Sequence, residues 1–114
     1  MDSIVTVTTT LGGRADAEAL ARAVLDARLA ACVQVEEGLT SFYCWEGRAC
    51  EDAEIRLTLK TSAECLPALQ ALFAARHPYA LPQFVATPAQ ASPAYAEWVR
   101  GELRPAAPAR TPGR

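Results

Sequence analysis

An α+β domain with the element order β-α-β-β-α-β and one added C-terminal helix is what this sequence predicts, and three observations carry it. The seven residues Ile4 to Thr10 are all β-branched, which favours a strand over a helix. Ala17, Leu20, Ala21, Val24 and Leu25 recur at helical spacing soon after. Residues 40 to 61 read as one long hairpin, with an aromatic first arm (Phe42, Tyr43, Trp45) and a second arm that alternates Ile55, Leu57, Leu59 with Glu54, Arg56, Thr58, Lys60. Two helices on one face of a four-stranded antiparallel sheet, the ferredoxin-like or split βαβ arrangement, follow from that order.

Leu11-Gly12-Gly13-Arg14 is a glycine turn between the first strand and the first helix, whose outer face carries Glu18, Arg22 and Asp26 and which ends near residues 29 to 31. Cys32 to Val35 is a short strand, and Glu36-Glu37-Gly38 interrupts it, so the hairpin's first arm is the same strand resumed after a bulge. Glu46-Gly47 is the hairpin turn, because glycine takes the positive φ a tight turn needs. Thr61-Ser62 supplies capping hydroxyls for a second helix with Leu66, Leu69, Leu72 and Phe73 as its buried stripe. Pro67 belongs in its first turn, and His77-Pro78 stops it. The last strand is placed at residues 83 to 87, bounded by Pro82 and Pro88. Ser92-Pro93 opens a short docking helix with Tyr95, Trp98 and Val99 as its aromatic face.

Length and composition bound the function classes. A chain of 114 residues, 51% hydrophobic, builds one core, so residues 1 to 103 are expected to form a single domain and the proline- and arginine-rich residues 104 to 114 a disordered tail. Residues 1 to 103 hold eight positive against thirteen negative side chains, a net −5. Such a body lacks the basic footprint of a nucleic-acid or anionic-membrane partner. The N-terminus runs straight into strand pattern without a secretory leader, and no apolar run reaches membrane-spanning length, so a cytoplasmic location is expected. Cys32, Cys44, Cys50 and Cys65 form no C-x-x-C pair and read as free thiols in a reducing compartment.

Three runs give the chain a specific likeness: Arg28-Leu29-Ala30-Ala31-Cys32-Val33; Ser41-Phe42-Tyr43-Cys44-Trp45-Glu46-Gly47 followed by Glu51-Asp52-Ala53-Glu54 and Lys60-Thr61; and His77-Pro78-Tyr79 with Pro82. With Tyr95 and Trp98 in the closing helix, the chain resembles the CutA family, the divalent-cation tolerance proteins, over about residues 4 to 103. The resemblance implies a ferredoxin-like fold, an interlocked homotrimer and a non-catalytic role in tolerance of copper and other divalent metals. This chain departs from the family at Thr9, where copper-linked members can carry a cysteine, at Gln83, where the family usually has an acid, and at Ala80, where it often has one.

Within these motifs Cys32 and His77 are the soft or borderline ligand types, a thiolate and an imidazole suited to copper or zinc. They are the candidate metal ligands, with no cofactor required and Cu2+ held weakly. Each also has an ordinary role, Cys32 as a small core hydrophobe and His77 as a helix C-terminal imidazole. Glu51, Asp52 and Glu54 read as hard oxygen ligands or as a solvated strand edge. Trp45, Glu54, Lys60 and Tyr79 are assigned to a ligand cleft between subunits, where Lys60, the single lysine, would face a small anion. Tyr43, Trp45 and Trp98 are assigned to the trimer interface, since the hairpin's first arm carries apolar area on both faces and one subunit covers only one.

Two other classes compete. A trimeric signalling module of the PII type, binding a small ligand in inter-subunit clefts, shares the expected fold. An acylphosphatase-like hydrolase would use Gly12-Gly13-Arg14 as a phosphate loop, but it also needs an asparagine to orient water, and the sequence contains none.

Overall fold

The computed structural model describes residues 1–105. Strands β1 (Asp2–Leu11), β2 (Cys32–Trp45), β3 (Arg48–Thr61) and β4 (Val85–Ala91) form one antiparallel sheet in the order β2-β3-β1-β4. Helices α1 (Arg14–Asp26) and α2 (Leu66–Arg76) cover one face, and α3 (Pro93–Glu102) follows β4. The fold is the α+β ferredoxin-like arrangement with its additional helix. The tail expected over residues 104 to 114 falls, beyond Pro105, outside the described residues.

The core forms where odd-numbered β1 and β3 residues meet the helices. Val7, Leu11, Leu57 and Leu59 are fully buried there against Ala17, Leu20 and Val24 of α1 and Leu69 and Phe73 of α2. Each such side chain contributes roughly 1.5–3 kcal/mol of burial. Leu25, expected in the α1 stripe, is instead 43% exposed, because it sits at the stripe's edge near the helix end. Thr61 does not cap the second helix. Its hydroxyl is buried and donates to the Leu29 carbonyl at 2.7 Å, and α2 is entered through a 3-10 turn, Ala63–Cys65, with Pro67 in its first turn as expected.

Two expectations about the C-terminal third are corrected. The last strand runs to Ala91 and contains Pro88, opposite Val5. β4 is an edge strand, where proline's missing N–H costs no ladder bond if it points outward. In α3 the buried residues are Ala96 and Val99, while Tyr95 and Trp98 are exposed. The helix lies over the sheet face opposite α1 and α2, near buried Ile4, with Lys60 Nζ 5.8 Å from the Tyr95 ring centre. Ser92 caps it as expected, its hydroxyl accepting from the Tyr95 N–H. Its far end is tied to the end of α1: Arg28, in the left-handed region at φ 56°, donates from Nε to the Glu102 carbonyl at 3.1 Å.

The hairpin leaves the body of the molecule. β1 pairs with β3 only as far as Leu11 and Ile55, so Arg48 to Glu54 pair with β2 alone. Seven residues at about 3.3 Å each carry the ribbon roughly 23 Å beyond the three-stranded part. The radius of gyration, 15.7 Å, exceeds the ~13 Å expected of a compact chain this long for the same reason.

Candidate functional site

The bulge in β2 decides what the hairpin presents. Glu36 opposes Arg56, whereas Leu39 opposes Glu54, so β2 spends one residue more than β3 in this interval. Gly38, at φ 83°, absorbs the extra residue. Before the bulge the even-numbered residues Cys32, Gln34 and Glu36 face away from the helices, paired with Lys60, Thr58 and Arg56. After it the odd-numbered residues do: Ser41, Tyr43 and Trp45 stand on the side of Asp52 and Glu54.

A second segment closes over this face. α2 ends at His77, and the chain then passes the end of β1 from the helix side to the open side. His77 anchors the passage. Its Nδ1 accepts the Tyr79 N–H at 3.1 Å, so the neutral ring carries its proton on Nε2 and donates it to the buried Thr9 hydroxyl at 3.0 Å. Burial pushes the His77 pKa below the ordinary 6.5, offset in part by the Thr10 backbone and the charges of Asp16 and Glu54. Farther along, Gln83 Nε2 donates to the Thr8 hydroxyl at 3.2 Å.

Between loop and hairpin lies a cleft of about 650 Å³, lined by Thr10, Ser41, Tyr43, Trp45 and Glu54 from the sheet and by Pro78, Tyr79, Leu81 and Gln83 from the loop. Tyr79 crosses it to donate its phenol to Glu54 Oε2 at 2.7 Å. Tyr43 makes the parallel contact, donating to Asp52 Oδ2. Both phenols are raised above their ordinary pKa. The hydrogen bond to Asp52 pushes Tyr43 up to about 12, and burial followed by the Glu54 bond raises Tyr79. Gly12 stands beside this contact, since a Cβ there would come within 3.4 Å of the Tyr79 oxygen.

The residues expected at the site are only partly brought together. Trp45, Glu54 and Tyr79 share the cleft. Lys60 does not join them within one chain: it lies opposite Thr6 and Cys32, over the Tyr95 ring. Cys32 and His77 are also separated. Cys32 is in the row of Thr6 on the open face, whereas His77 bonds to Thr9, three residues along β1 and on the helix face. What His77 meets is the buried Thr9 hydroxyl. Among the described residues no group of three or more His, Cys, Asp or Glu is arranged to hold a metal ion. Of the acidic run, Glu51 is exposed on the other ribbon face, Asp52 holds Tyr43, and Glu54 is the buried one, only 9% exposed. Of the interface residues, Tyr43, Trp45 and Trp98 are exposed in the single chain.

Thr10, Ser41, Leu81 and Gln83 are among the lining residues that sequence reasoning did not assign to a cleft. The bulge spacing held the signal for Ser41, since counting one extra residue puts it on the face of Glu54. Arg14 is committed to Glu18 and Glu37, each at 3.2 Å, and Gly13 is the extended residue before α1. Among the described residues no helix is long and apolar enough to cross a membrane.

Comparison with known proteins agrees with this architecture. The chain is 42% identical over 85 residues to the divalent-cation tolerance protein CutA of Thermus thermophilus, an alignment spanning 74% of this chain and 82% of that one. It is 40% identical to mouse Protein CutA over 84 residues, which are 73% of this chain but about half, 48%, of the longer mouse protein. The Thermus thermophilus structure superposes with a TM-score of 0.85 at 38% identity, covering 90% of this chain and all of that one. CutA1 from Oryza sativa gives 0.83 at 36% identity over 90% of this chain and 94% of its own. A family model described as CutA1 divalent ion tolerance protein matches residues 5–102, and the chain belongs to that family.

Proposed function

We propose that this protein is a non-catalytic binding module in the tolerance of divalent cations, working in the cytoplasm as a homotrimer with its cleft completed at the subunit boundary. The observation that carries the reading is the cleft itself. Its wall holds the Glu54 carboxylate and the phenols of Tyr43 and Tyr79, the first phenol bonded to Asp52 beside the cleft and the second to Glu54. Among the described residues neither Ser41 nor Thr10 of the cleft donates to a base, so the arrangement suits holding a ligand rather than turning one over. The divalent-cation tolerance named for its relatives supplies the physiological setting.

Assembly is supported by the ribbon. A two-stranded ribbon with water on both faces is marginal by itself. This one carries Phe42 at 73%, Trp45 at 45% and Tyr43 at 43% exposure. Covering an aromatic pair removes on the order of 300 Å² from water, or roughly 7 kcal/mol before entropy is charged. A closed ring covers every such arm without growing into fibres. The resemblance to the family supplies the number three.

Light scattering coupled to size exclusion tests this, with three times the chain mass as the expected result and a lower melting temperature for Trp45→Ala. A well-folded monomer at micromolar concentration would sink the reading.

A further inference from the structure

The cleft is acidic, aromatic and short of a cation. Glu54 is more than nine-tenths buried; its Oε2 accepts the Tyr79 phenol, while Oε1 receives no donor among the described residues. No buried side-chain oxygen or nitrogen among them is sealed away unpartnered, so Oε1 keeps its opening toward the cleft it lines. Neither Glu54 nor Asp52 is in an ion pair among the described residues, where Arg14, Arg56 and Arg100 are each spent on other acids. Among the described residues the lining contains no lysine or arginine.

The walls that this chain supplies carry negative charge, so by themselves they suit a cation better than the anion expected of a cleft completed by Lys60. A buried carboxylate with a free oxygen attracts positive charge, and the rings of Tyr43, Trp45 and Tyr79 add the negative faces that hold a cation with an organic body. A bare metal ion suits the site less well. Both carboxylates already accept a phenol, no three ligand groups converge among the described residues, and much of the wall is apolar. About 650 Å³ lies within the range of small-molecule sites.

We propose that the cleft between the hairpin and the 78–83 loop binds a small organic cation, a protonated amine or quaternary ammonium on an apolar body, with its charge on Glu54 Oε1 and its body against Trp45 and Tyr79. The inference rests on the reading of the cleft as a ligand site. It adds the sign and the class of the ligand.

Calorimetric titration of the full-length protein with benzylammonium, and with benzyl alcohol as its neutral counterpart, tests it. Benzylammonium should bind saturably and the alcohol at least about tenfold more weakly. Glu54→Gln keeps an acceptor for Tyr79 but removes the charge, and should cost about tenfold in affinity for the amine with no change in the circular dichroism spectrum. Trp45→Leu, measured in protein that still scatters as a trimer, should also weaken the amine. Equal binding of amine and alcohol, or an affinity indifferent to Glu54→Gln, would overturn the inference. So would binding that is absent in the wild type and appears in Lys60→Met, because a neighbouring copy's lysine would then be the cation on Glu54. Any of these results in a protein that still scatters as a trimer defeats the ligand class alone. A monomer defeats the assembly from which the function is proposed.

Discussion

Tyr79 donates its phenol to Glu54 at 2.7 Å across the mouth of the cleft, joining the loop after α2 to a strand twenty-five residues earlier. The contact satisfies a carboxylate that is 9% exposed and without a cation among the described residues. Removing the donor leaves the Oε2 side of a largely buried Glu54 without its partner. Tyr79→Phe should therefore cost about 1–3 kcal/mol, more than a typical net hydrogen bond, because the carboxylate's desolvation is no longer offset. Chemical denaturation checks it. In Glu54→Gln, where no charge is left stranded, the same Tyr79→Phe change should cost less, and equal costs in both backgrounds would show that the bond is incidental.

The ring of His77 makes stability depend on pH, and the sign is fixed by burial. Its folded pKa lies below the ordinary 6.5, so at pH values between the two the unfolded chain binds more protons than the folded one. Stability is then full above about 6.5 and falls as the pH drops toward the folded pKa, below which the loss levels off. Protonation also ends the acceptor role of Nδ1 toward Tyr79 N–H, so the loop should loosen over the same range. Melting temperatures at pH 7.5 and 5.0 should differ, and His77→Gln should shrink that difference. An unchanged pH slope in the variant would assign the acid sensitivity to other groups.

Copper should bind weakly and without the pair that sequence motifs suggest. Both His77 nitrogens are hydrogen-bonded within the chain, and Cys32 sits in a different row on the other sheet face. A metal would have to displace the Tyr79 N–H or the Thr9 hydroxyl to reach the imidazole. Titration with Cu2+ at pH 7.5 should give a weak isotherm, and Cys32→Ser should leave it unaltered. Tight binding lost in both Cys32→Ser and His77→Ala would mean that neighbouring subunits bring these groups together.

The order of elements was legible because each rests on local chemistry. Seven β-branched residues, a glycine turn and a proline after serine act within a few positions of themselves. Pro88 misled for the opposite reason, since proline forbids a central strand but not an edge, and edge status is a property of the whole sheet. At the site, Trp45, Glu54 and Tyr79 were found through resemblance, but what they make depended on facing. Lys60 looks like a neighbour of Glu54, six residues away on the same strand face. Six residues of strand are about 20 Å, so the two side chains do not meet within one chain, and the cleft expected of them is one between subunits. The pairing of His77 with Thr9 was hidden for a related reason, because it joins residues sixty-eight positions apart through a loop without a periodic signal.

The hairpin turn offers a gain in stability that follows from two backbone angles. Glu46 and Gly47 are the whole connection between β2 and β3, with Trp45 paired to Arg48, and both have positive φ, 50° and 77°. That is the signature of the type I′ turn, whose twist matches the strands it joins and whose favoured sequence is Asn-Gly. Gly47 has the residue the conformation asks for. Glu46 does not: a β-carbon in the left-handed region costs roughly 1–2 kcal/mol, which asparagine relieves in part through local hydrogen bonding. Glu46→Asn should raise stability by about 0.5–1 kcal/mol. Gly47→Ala should lower it by about 1 kcal/mol, since no atom within 4 Å would obstruct the new methyl and the backbone angle alone resists it. Equilibrium denaturation of the two variants should bracket the wild type. The assembly state should be unaltered in both, because the turn lies beyond Tyr43 and Trp45 and changes neither ring. If Glu46→Asn instead destabilised the protein, the Glu46 side chain would have a partner on a neighbouring subunit, and the tip of the ribbon would belong to the interface as well.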